Sequence, residues 1–383
     1  MTSPKPLEGV RVLDLSRVLA GPWSGQLLAD YGADVIKVER PGPGDDTRAW
    51  GPPWFGDPAE RMSAYYLSCN RGKRSVAVDI ATAEGAALVR QLAAEADVLL
   101  ENYKVGVLAK YGLDAKSLQA INPGLVYCSI TGFGQDGPYA PNAGYDFAIQ
   151  ATGGLMSVTG EKDGTPGSQP QKVGVAVADL FTGVYATTAI LAALVERGRT
   201  GRGRHIDAAL LDTQVAMLAN QASNYLVGGK TPKRMGNAHV NVVPYQVFAT
   251  RDGHIVLAIG NDGQFTRFCQ LAGHEDVARD PRYLSNDTRI AHRDELIATM
   301  SPWLQQRSTA EWTALLEPNA VPCAPILALP EVFSHPQVRS RGMQISAGEM
   351  PMVATPMRFD GQRPVATQPP PRLDEHGDEV RRG

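Results

Sequence analysis

The chain has few cysteines, and none of them is arranged to bind metal. Four cysteines are spread over 383 residues without a CxxC pair, and the seven histidines do not cluster beside them. A disulfide framework or a structural zinc site needs such residues at short, repeated spacings. The sequence therefore disfavours both, and we expect no metal centre.

A strong net charge and long apolar runs are also missing. The formal net charge is −3, so the composition does not favour binding to nucleic acid or to a membrane surface. No unbroken apolar run reaches the roughly 18 residues that a membrane-spanning helix needs. The start, MTSPKPLEGVRVLDLS, lacks the basic beginning and apolar centre of a signal peptide. These absences predict a soluble, cytoplasmic protein.

The turn after the first predicted strand lacks the glycines of a dinucleotide-binding site. A Rossmann-type site carries G-x-G-x-x-G at this place. Residues 16–22 read SRVLAGP, although Glu39, after the second predicted strand, resembles the acid that binds a ribose. No G-x-x-x-x-G-K-S/T motif occurs either. The sequence thus disfavours a nucleotide redox cofactor and a P-loop.

What the chain does contain is an alternation of short apolar runs and amphipathic segments. The runs VRVLDLS, DVIKVERP, KRSVAVDI, DVLLENY and LVYCSITGFG predict buried strands. Helical patterns such as AGPWSGQLLADYGA, AEGAALVRQLAAEA and LDAKSLQAINP lie among them. Such alternation predicts an α/β fold, with a large Rossmann-like domain built on a parallel sheet.

The later sequence predicts a second, smaller domain. A long apolar helix follows residue 179, and a second helical pattern covers about residues 206–229. NVVPYQVFATRDGHIVLAIGN then predicts an antiparallel hairpin, and further helices follow it. We expect a large domain over 1–200, a linker helix over 201–225, a small α+β domain over 226–320, and a segment over 321–383 that completes the large domain and ends in a tail.

Basic residues follow several of the predicted strands. Arg40 follows the second strand, and Lys104 and Lys110 follow DVLLENY. The carboxyl ends of parallel strands border the ligand crevice in doubly wound folds. Arg71 and Lys73 instead lead into a strand and could reach that edge only through loop geometry. Taken together these cations favour a phosphate-bearing ligand, whereas each one alone reads equally well as a solvated surface residue.

Two aspartates each stand at the start of an apolar helical pattern. Asp146 lies in GYDFAIQ, and Asp179 lies in VGVAVADLFTG. The ordinary role of aspartate at such a place is to cap the helix. Partial burial against the neighbouring apolar residues would also strip water from the Asp179 carboxylate and increase its reactivity. A cap and a nucleophile therefore both remain open readings of Asp179.

Several of these segments, in the same order, resemble the class III (family III, CaiB/BaiF-type) CoA-transferases. The similar segments run from residue 9 to about residue 343 and include GVRVLDLSRVLAGPWSGQLLADYGADVIKVERPGPGDDTR, NRGKRSVAVD, ADVLLENYKVG, GFGQDGPY, GYDFAIQATGGLMSVTG, VGVAVADLFTGVYA and GRGRHIDAALLD. Within the family, RMGNAH and the segment PYQVFATRDGHIVLAIGNDGQFTRFCQLAG most resemble transferases that use succinyl-CoA with glutarate or hydroxymethylglutarate. The resemblance implies an enzyme with acyl-CoA and a carboxylic acid as substrates, and an interlocked homodimer.

The resemblance also implies roles for single residues. Asp179 would be the nucleophile, with Tyr145 and Asp146 as a tyrosine–acid pair beside it. Some relatives have a CoA-binding lysine two residues before that tyrosine, but this chain has Ala143, so the contact is absent or replaced. Coenzyme A would be held by Leu19, Ala20, Arg40, Asn70, Arg71, Lys73, Asn102, Tyr103 and Lys110. Candidates for the remote carboxylate of a dicarboxylate acceptor are Arg17, Arg234, Asn237 and His239.

The implied reaction is a covalent exchange through Asp179. Attack on the donor thioester would give a mixed anhydride and CoA thiolate, and the thiolate would then form an aspartyl-CoA thioester. The thioester energy is conserved, so the reaction needs neither ATP nor a metal. One alternative is a 2-methylacyl-CoA racemase of the same family, although Tyr145 stands where that branch has histidine. Another is a CoA-binding protein without catalytic activity.

Overall fold

The computed structural model describes residues 5–382, which divide into two compact units. Unit 1 comprises the described residues up to Leu155, then Lys172–Gly229, and those from His335 onward. Unit 2 comprises Met156–Gln171 and Lys230–Ser334. The small domain expected over 226–320 therefore corresponds to a unit that extends to Ser334 and takes in a segment that we assigned to the large domain.

Unit 1 begins as a succession of strands and crossover helices. In chain order these elements are β1 (Arg11–Asp14), α1 (Ala20–Asp30), β2 (Asp34–Glu39), β3 (Trp54–Phe55), β4 (Met62–Ser63), α2 (Ala64–Ser68), β5 (Lys73–Ala77), α3 (Ala83–Glu95), β6 (Val98–Glu101), α4 (Ala115–Ile121), β7 (Val126–Thr131), α5 (Asp146–Thr152), α6 (Leu155–Val158, of which the last three residues belong to unit 2), α7 (Val177–Thr200), β8 (His205–Ala209), α8 (Leu210–Met217) and α9 (Ala219–Gly228). Short 3₁₀ helices cover Asp46–Ala49 and Leu108–Tyr111.

Six parallel strands form one sheet in the order β5-β2-β1-β6-β7-β8. This is the 3-2-1-4-5-6 order of a Rossmann fold, and the α/β prediction is confirmed. Successive residues of β1 point to opposite faces, so Val12 joins one apolar core and Leu13 joins the other. The order reverses at β1, which pairs with β2 on one side and β6 on the other. Ligands bind beside the carboxyl ends of strands at such a reversal.

The helix predicted over residues 206–229 is wrong at its start. His205–Ala209 is a strand that pairs with β7, from Tyr127 opposite His205 to Thr131 opposite Ala209. Helices α8 and α9 follow it. A short apolar run is compatible with a helix and with a strand about equally well. Here the segment is a strand because it hydrogen-bonds to the edge of β7.

Helix α7 is long and apolar enough to cross a membrane by length and composition, although Asp179 and several threonines interrupt its apolar residues. Within unit 1, its residues Ala186, Ile190 and Ala193 are buried in the core that also includes Leu28 of α1. A core helix passes the same length and composition test, so the finding is weak evidence for a spanning helix.

Unit 2 contains an antiparallel sheet and a group of helices. Its elements are β9 (Tyr245–Ala249), β10 (His254–Ala258), α10 (Asp262–Ala272), α11 (Glu275–Arg279), α12 (Asn286–Ala291), α13 (Arg293–Leu304), α14 (Thr309–Leu316), β11 (Cys323–Pro325) and α15 (Leu329–Ser334). The predicted hairpin is confirmed, because β9 and β10 pair antiparallel and β11 adds a third strand. Phe265, Phe268, Met300 and Trp312 lie in its core.

The remaining chain returns to unit 1 and covers one edge of the large sheet. Its elements are α16 (Pro336–Ser340), β12 (Gln344–Ala347), β13 (Met350–Val353) and α17 (Gly377–Arg382). Along β5, the amide of Ala77 donates to the Asp374 carboxylate at 2.8 Å, and the amide of His376 donates to the Ser75 carbonyl at 3.0 Å. Covering an edge strand in this way prevents pairing with another chain.

Candidate active site

A pocket in unit 1 lies at the carboxyl ends of β1, β6 and β7, where the strand order reverses. Seven residues predicted from the sequence line it: Arg17, Leu19, Ala20, Asn102, Tyr103, Tyr145 and Asp179. Other lining residues are Val18, Asp46, Lys104, Val105, Ile130, Thr131, Gly132, Ala140, Asn142, Ala143, Gly144 and Leu210. The fold thus brings two carboxylates, Asp46 and Asp179, and two cations, Arg17 and Lys104, to one cavity.

Asp179 is not the cap of its helix, contrary to the first reading of the sequence. Helix α7 begins at Val177, its N-cap position is Ala176, and Asp179 lies within the first turn. The capping carboxylate is Asp146, whose Oδ1 accepts from the amide of Ala178 at 2.8 Å and from that of Asp179 at 3.4 Å. One aspartate therefore caps the helix and the other is left free.

Asp146 is held in place by Gln150, one turn further along α5. Gln150 Nε2 donates to Asp146 Oδ2 at 2.7 Å, and Gln150 Oε1 accepts from the amide of Val173 at 2.9 Å. The Gln150 side chain is fully buried. The sequence analysis did not identify Gln150. The only sequence signal for it was an amide four residues after an aspartate, the spacing at which side chains of a helix meet.

The Asp179 carboxyl has an unusual proton affinity. Burial, and then the negative charge of Asp146, raise its pKa to about 7. The sequence analysis assumed an ordinary carboxylate, which would be fully ionised at neutral pH. Within residues 5–382 no ion pair or hydrogen bond reaches the Asp179 carboxylate oxygens. A poorly hydrated carboxylate without a cationic partner is well suited to act as a nucleophile.

Tyr65 is a second residue that the sequence analysis missed. Burial and the charge of Asp179 are the two largest causes that raise the pKa of its phenol to about 12. The hydroxyl therefore stays protonated at neutral pH, within electrostatic reach of Asp179. The segment SAYYLSCN carries no motif that would have indicated this.

The loop after β1 is fixed by hydrogen bonds to both backbone polar groups of Arg17. The Arg17 amide donates to Asn102 Oδ1 at 2.9 Å, and Asn102 Nδ2 donates to the Arg17 carbonyl at 2.7 Å. Val18 has a φ of 71°, which is unfavourable for a β-branched residue, and its amide donates to Asp45 Oδ1 at 3.3 Å. Asn102, predicted to contact coenzyme A, uses its amide to position this loop.

Three of the predicted CoA contacts are buried and already paired. Lys73 Nζ donates to Asp14 Oδ2 at 2.8 Å and to Asn70 Oδ1 at 2.9 Å, and its third bond goes to a backbone carbonyl of α1. Arg71 Nη2 donates to Asp30 Oδ2 at 2.7 Å. All five side chains are almost fully buried. A lysine has three donors, so Lys73 has none left for a ligand.

Arg40 and Lys110, in contrast, are exposed and make no ion pair within residues 5–382. Arg40 follows β2 directly, and Lys110 lies in the 3₁₀ helix that follows β6. Lys104, which lines the Asp179 pocket, is also exposed. These three cations remain available to a phosphate group.

The other three candidates for acceptor binding belong to unit 2. Arg234 forms an ion pair with Asp163. Asn237 lines a separate cavity of unit 2, and His239 Nδ1 accepts from the amide of Asn241 at 3.1 Å. The pocket that contains Asp179 is formed by residues of unit 1 alone. Of the four candidates, only Arg17 lines it.

Comparison with known proteins shows one family over nearly the whole chain. Residues 7–377 match CoA-transferase family III. A succinate–glutarate CoA-transferase of Agrobacterium fabrum is 52% identical, with 98% of this chain and 94% of that protein aligned. The human succinyl-CoA:glutarate CoA-transferase is 44% identical over 98% of this chain and 85% of its own. The crystal structure of a CAIB/BAIF family protein from Brucella suis superimposes with a TM-score of 0.88, at 51% identity and 99% coverage of both chains.

Proposed function

Because the chain belongs to CoA-transferase family III, we propose that it moves coenzyme A from succinyl-CoA to a dicarboxylate such as glutarate, with Asp179 as the nucleophile. The names of the relatives that align over almost the full chain support the two substrates. The observation that carries the proposal is the unpaired Asp179 carboxylate in the pocket at the strand-order reversal.

The proposed reaction proceeds in four exchanges at the Asp179 carboxyl. The carboxylate attacks the succinyl-CoA carbonyl and expels CoA thiolate, which leaves a succinyl-aspartyl anhydride. The thiolate attacks the aspartyl carbonyl, which releases succinate and forms the aspartyl-CoA thioester. Glutarate then attacks the aspartyl carbonyl of this thioester and expels the thiolate, which attacks the glutaryl carbonyl of the new anhydride. Glutaryl-CoA leaves and Asp179 is regenerated, so bonds and charges balance.

Asp146 acts as a positioning residue in this scheme. Its carboxylate caps α7 through the amides of Ala178 and Asp179, which fixes the direction of the first turn. Its charge also disfavours ionisation of Asp179, so the ionised nucleophile is less stable and more reactive. Tyr145, which lines the pocket and is largely exposed, is proposed to contact the bound acyl-CoA.

We assign the coenzyme A contacts in two groups. Arg40 and Lys110 bind phosphate groups as free cations, and Leu19, Ala20 and Tyr103 contact the thioester arm within the pocket. Asn70, Arg71, Lys73 and Asn102 support the site indirectly, because their side chains hold other parts of unit 1. Lys104, which lines the pocket, is the candidate to replace the cation that is missing at Ala143.

The proposal is tested by replacing Asp179. Asp179→Ala should lower the turnover of succinyl-CoA with glutarate by at least about 10⁴-fold, since it removes the covalent step. Binding of free coenzyme A should change little. The matched control is Asp212→Ala, because Asp212 is likewise the third residue of its helix, is exposed and does not line the pocket.

Hydroxylamine supplies a second measurement. After incubation with succinyl-CoA, it should convert Asp179 to a hydroxamate that is found by mass spectrometry in the wild type and in Asp212→Ala. Labelling of another carboxylate, or substantial turnover by Asp179→Ala, would contradict the proposal.

We further propose that the protein is a cytoplasmic homodimer. Several large apolar side chains of α7 and α9 are exposed on the surface of the single chain. They include Phe181, Val184, Tyr185, Leu226 and Val227. Large apolar side chains left exposed on two helices of unit 1 indicate a protein partner.

A further inference from the structure

Arg17 and Asp46 form an ion pair inside the pocket that contains Asp179. Arg17 Nη1 lies 2.9 Å from Asp46 Oδ2, and both side chains are 40% exposed. Both residues line the pocket. Nothing in the covalent mechanism requires a carboxylate at this position, and a negative charge there opposes the entry of an anionic acid.

The Arg17 guanidinium has unused donor capacity. Its Nε is buried and has no hydrogen-bond partner within residues 5–382. The guanidinium carries five donors in a planar fork that matches a carboxylate. Nη1 pairs with Asp46, and no hydrogen bond within residues 5–382 uses Nη2, so the partly exposed guanidinium can still donate to a ligand. Asp46 therefore satisfies only part of the hydrogen-bonding capacity of Arg17.

Contacts to its backbone and to its side chain hold Arg17 in position. Asn102 hydrogen-bonds both polar groups of the Arg17 backbone, and the ring centroid of Tyr103 lies 5.5 Å from the guanidinium carbon. A side chain anchored in this way loses little freedom when it binds a ligand. Lys104, the other cation of the pocket, is exposed and has no such anchor.

We propose that Arg17 binds the remote carboxylate of the dicarboxylate substrate, and that Asp46 occupies Arg17 until the substrate displaces it. This inference rests on the proposed function. Asp46 is then an internal competitor that weakens the binding of a dicarboxylate, while Arg17 supplies the preference for a dicarboxylate over a monocarboxylate. A dicarboxylate replaces one carboxylate by another at Arg17, whereas a monocarboxylate of equal length has no group to exchange.

The test is a competition between two acceptors of equal length. Glutarate and valerate are mixed with succinyl-CoA, and the ratio of glutaryl-CoA to valeryl-CoA is measured. Both acids compete for the same covalent enzyme, so the ratio does not depend on the donor step. Arg17→Gln should lower the ratio about 10- to 100-fold, as expected when a charged partner of a substrate is removed. Arg17→Lys should fall between Arg17→Gln and the wild type.

Asp46→Asn keeps the shape of the side chain and removes the competing charge. Asp45 remains as the cap of the short helix that begins at Asp46, so the local fold is retained. The product ratio should rise about two- to fivefold, which is the usual strength of a half-exposed ion pair. Arg11→Gln and Glu95→Gln are matched controls, because that pair lies outside the pocket with an N–O distance of 2.6 Å. The controls should leave the ratio unchanged.

The outcomes separate this inference from the proposed function. No transfer to either acid by the wild type would refute the proposed function. An active wild type whose ratio is unchanged in Arg17→Gln would overturn the role of Arg17. If Arg17→Gln weakens the binding of free coenzyme A and leaves the ratio unchanged, the role of Arg17 in acceptor binding is also overturned. Arg17 would then be a contact of coenzyme A. An unchanged ratio in Asp46→Asn would overturn the proposal that Asp46 competes with the substrate for Arg17. Thermal unfolding of each variant shows whether it folds.

Discussion

Asp179 and Asp146 divide between them two tasks that the sequence offered to a single residue. Asp146 accepts a hydrogen bond at the start of α7, while the Asp179 carboxylate has no hydrogen-bond or ion-pair partner within residues 5–382 and burial destabilises its anion. Its pKa of about 7 in the folded chain exceeds that of an unfolded aspartate, so the folded state binds this proton more tightly. The stability from this group is present at low pH and is lost as the pH rises through 7.

The same pKa predicts the pH dependence of catalysis. The nucleophile is the ionised form, so kcat/KM for succinyl-CoA should rise with pH to a plateau, with a midpoint near the pKa of about 7 of Asp179. Asp146→Asn removes the neighbouring charge and should move that midpoint to lower pH. The amide oxygen can still accept from Ala178, so α7 keeps its cap. Initial rates measured from pH 5 to pH 9 check this, with the range set about the expected midpoint.

The matched control for Asp146→Asn is Asp287→Asn. Asp287 is an exposed acid in the first turn of α12, in unit 2, and is not among the residues whose charge raises the pKa of Asp179. It should leave the midpoint unchanged. A midpoint that does not move in Asp146→Asn would show that Asp146 has no electrostatic effect on the nucleophile.

At the scale of elements, the site depends on the contact between α1 and α7. Gly183 of α7 lies against the backbone of α1, and a Cβ at this position would lie 2.6 Å from the carbonyl oxygen of Ala20. A backbone carbonyl cannot move aside as the end of a flexible side chain can. This close approach brings the first turn of α7, with Asp179, to the start of α1, where Leu19 and Ala20 line the pocket.

Gly183→Ala should therefore separate the two helices. We expect a loss of about 1–3 kcal/mol in the free energy of unfolding, the usual result of overpacking, together with a higher KM for succinyl-CoA. The control is Gly198→Ala in the same helix, where a Cβ meets no atom within 4 Å. There alanine should stabilise the protein by up to about 1 kcal/mol, because glycine is unfavourable within a helix. Urea unfolding and steady-state rates measure both effects, and equal behaviour of the two variants would refute the argument.

At the scale of the whole molecule, the exposed apolar side chains of α7 and α9 predict the association state. Val227 is 90% exposed and Leu226 is 78% exposed, which is unusual for adjacent large apolar residues. The 41.1 kDa chain should elute as a dimer in size-exclusion chromatography and remain so on dilution. Val184→Lys on α7 should lower the dimer fraction, since it places a charge in the interface.

The control for this substitution is Ile121→Lys. Ile121 is an exposed apolar residue at the end of α4, away from α7 and α9 in the chain. A wild type that elutes as a monomer, or an equal effect of the two lysine variants, would contradict the proposed interface.

The strands β1, β2, β5, β6 and β7 and the hairpin of unit 2 could be predicted from the sequence, because buried strands and amphipathic helices leave a repeating apolar pattern in their own residues. Seven candidate residues named from the sequence likewise line one pocket in the structure. Strand β8 could not be predicted, because its short apolar run fits a helix as well as a strand and leads directly into α8, and only its pairing with β7 decides between them. The local pattern does not record such a contact.

The division of the polar residues was decided by the tertiary structure. Lys73 begins a strand and Arg40 follows one, yet Lys73 is buried in an ion pair with Asp14, whereas Arg40 is exposed and forms no ion pair within residues 5–382. Asp146 and Asp179 both begin apolar helices, yet only one caps α7. The sequence determined which residue types were present and which segments became strands and helices. The charge state and the task of each polar residue depend on its burial and its neighbours, and distant segments supply these only when the chain folds.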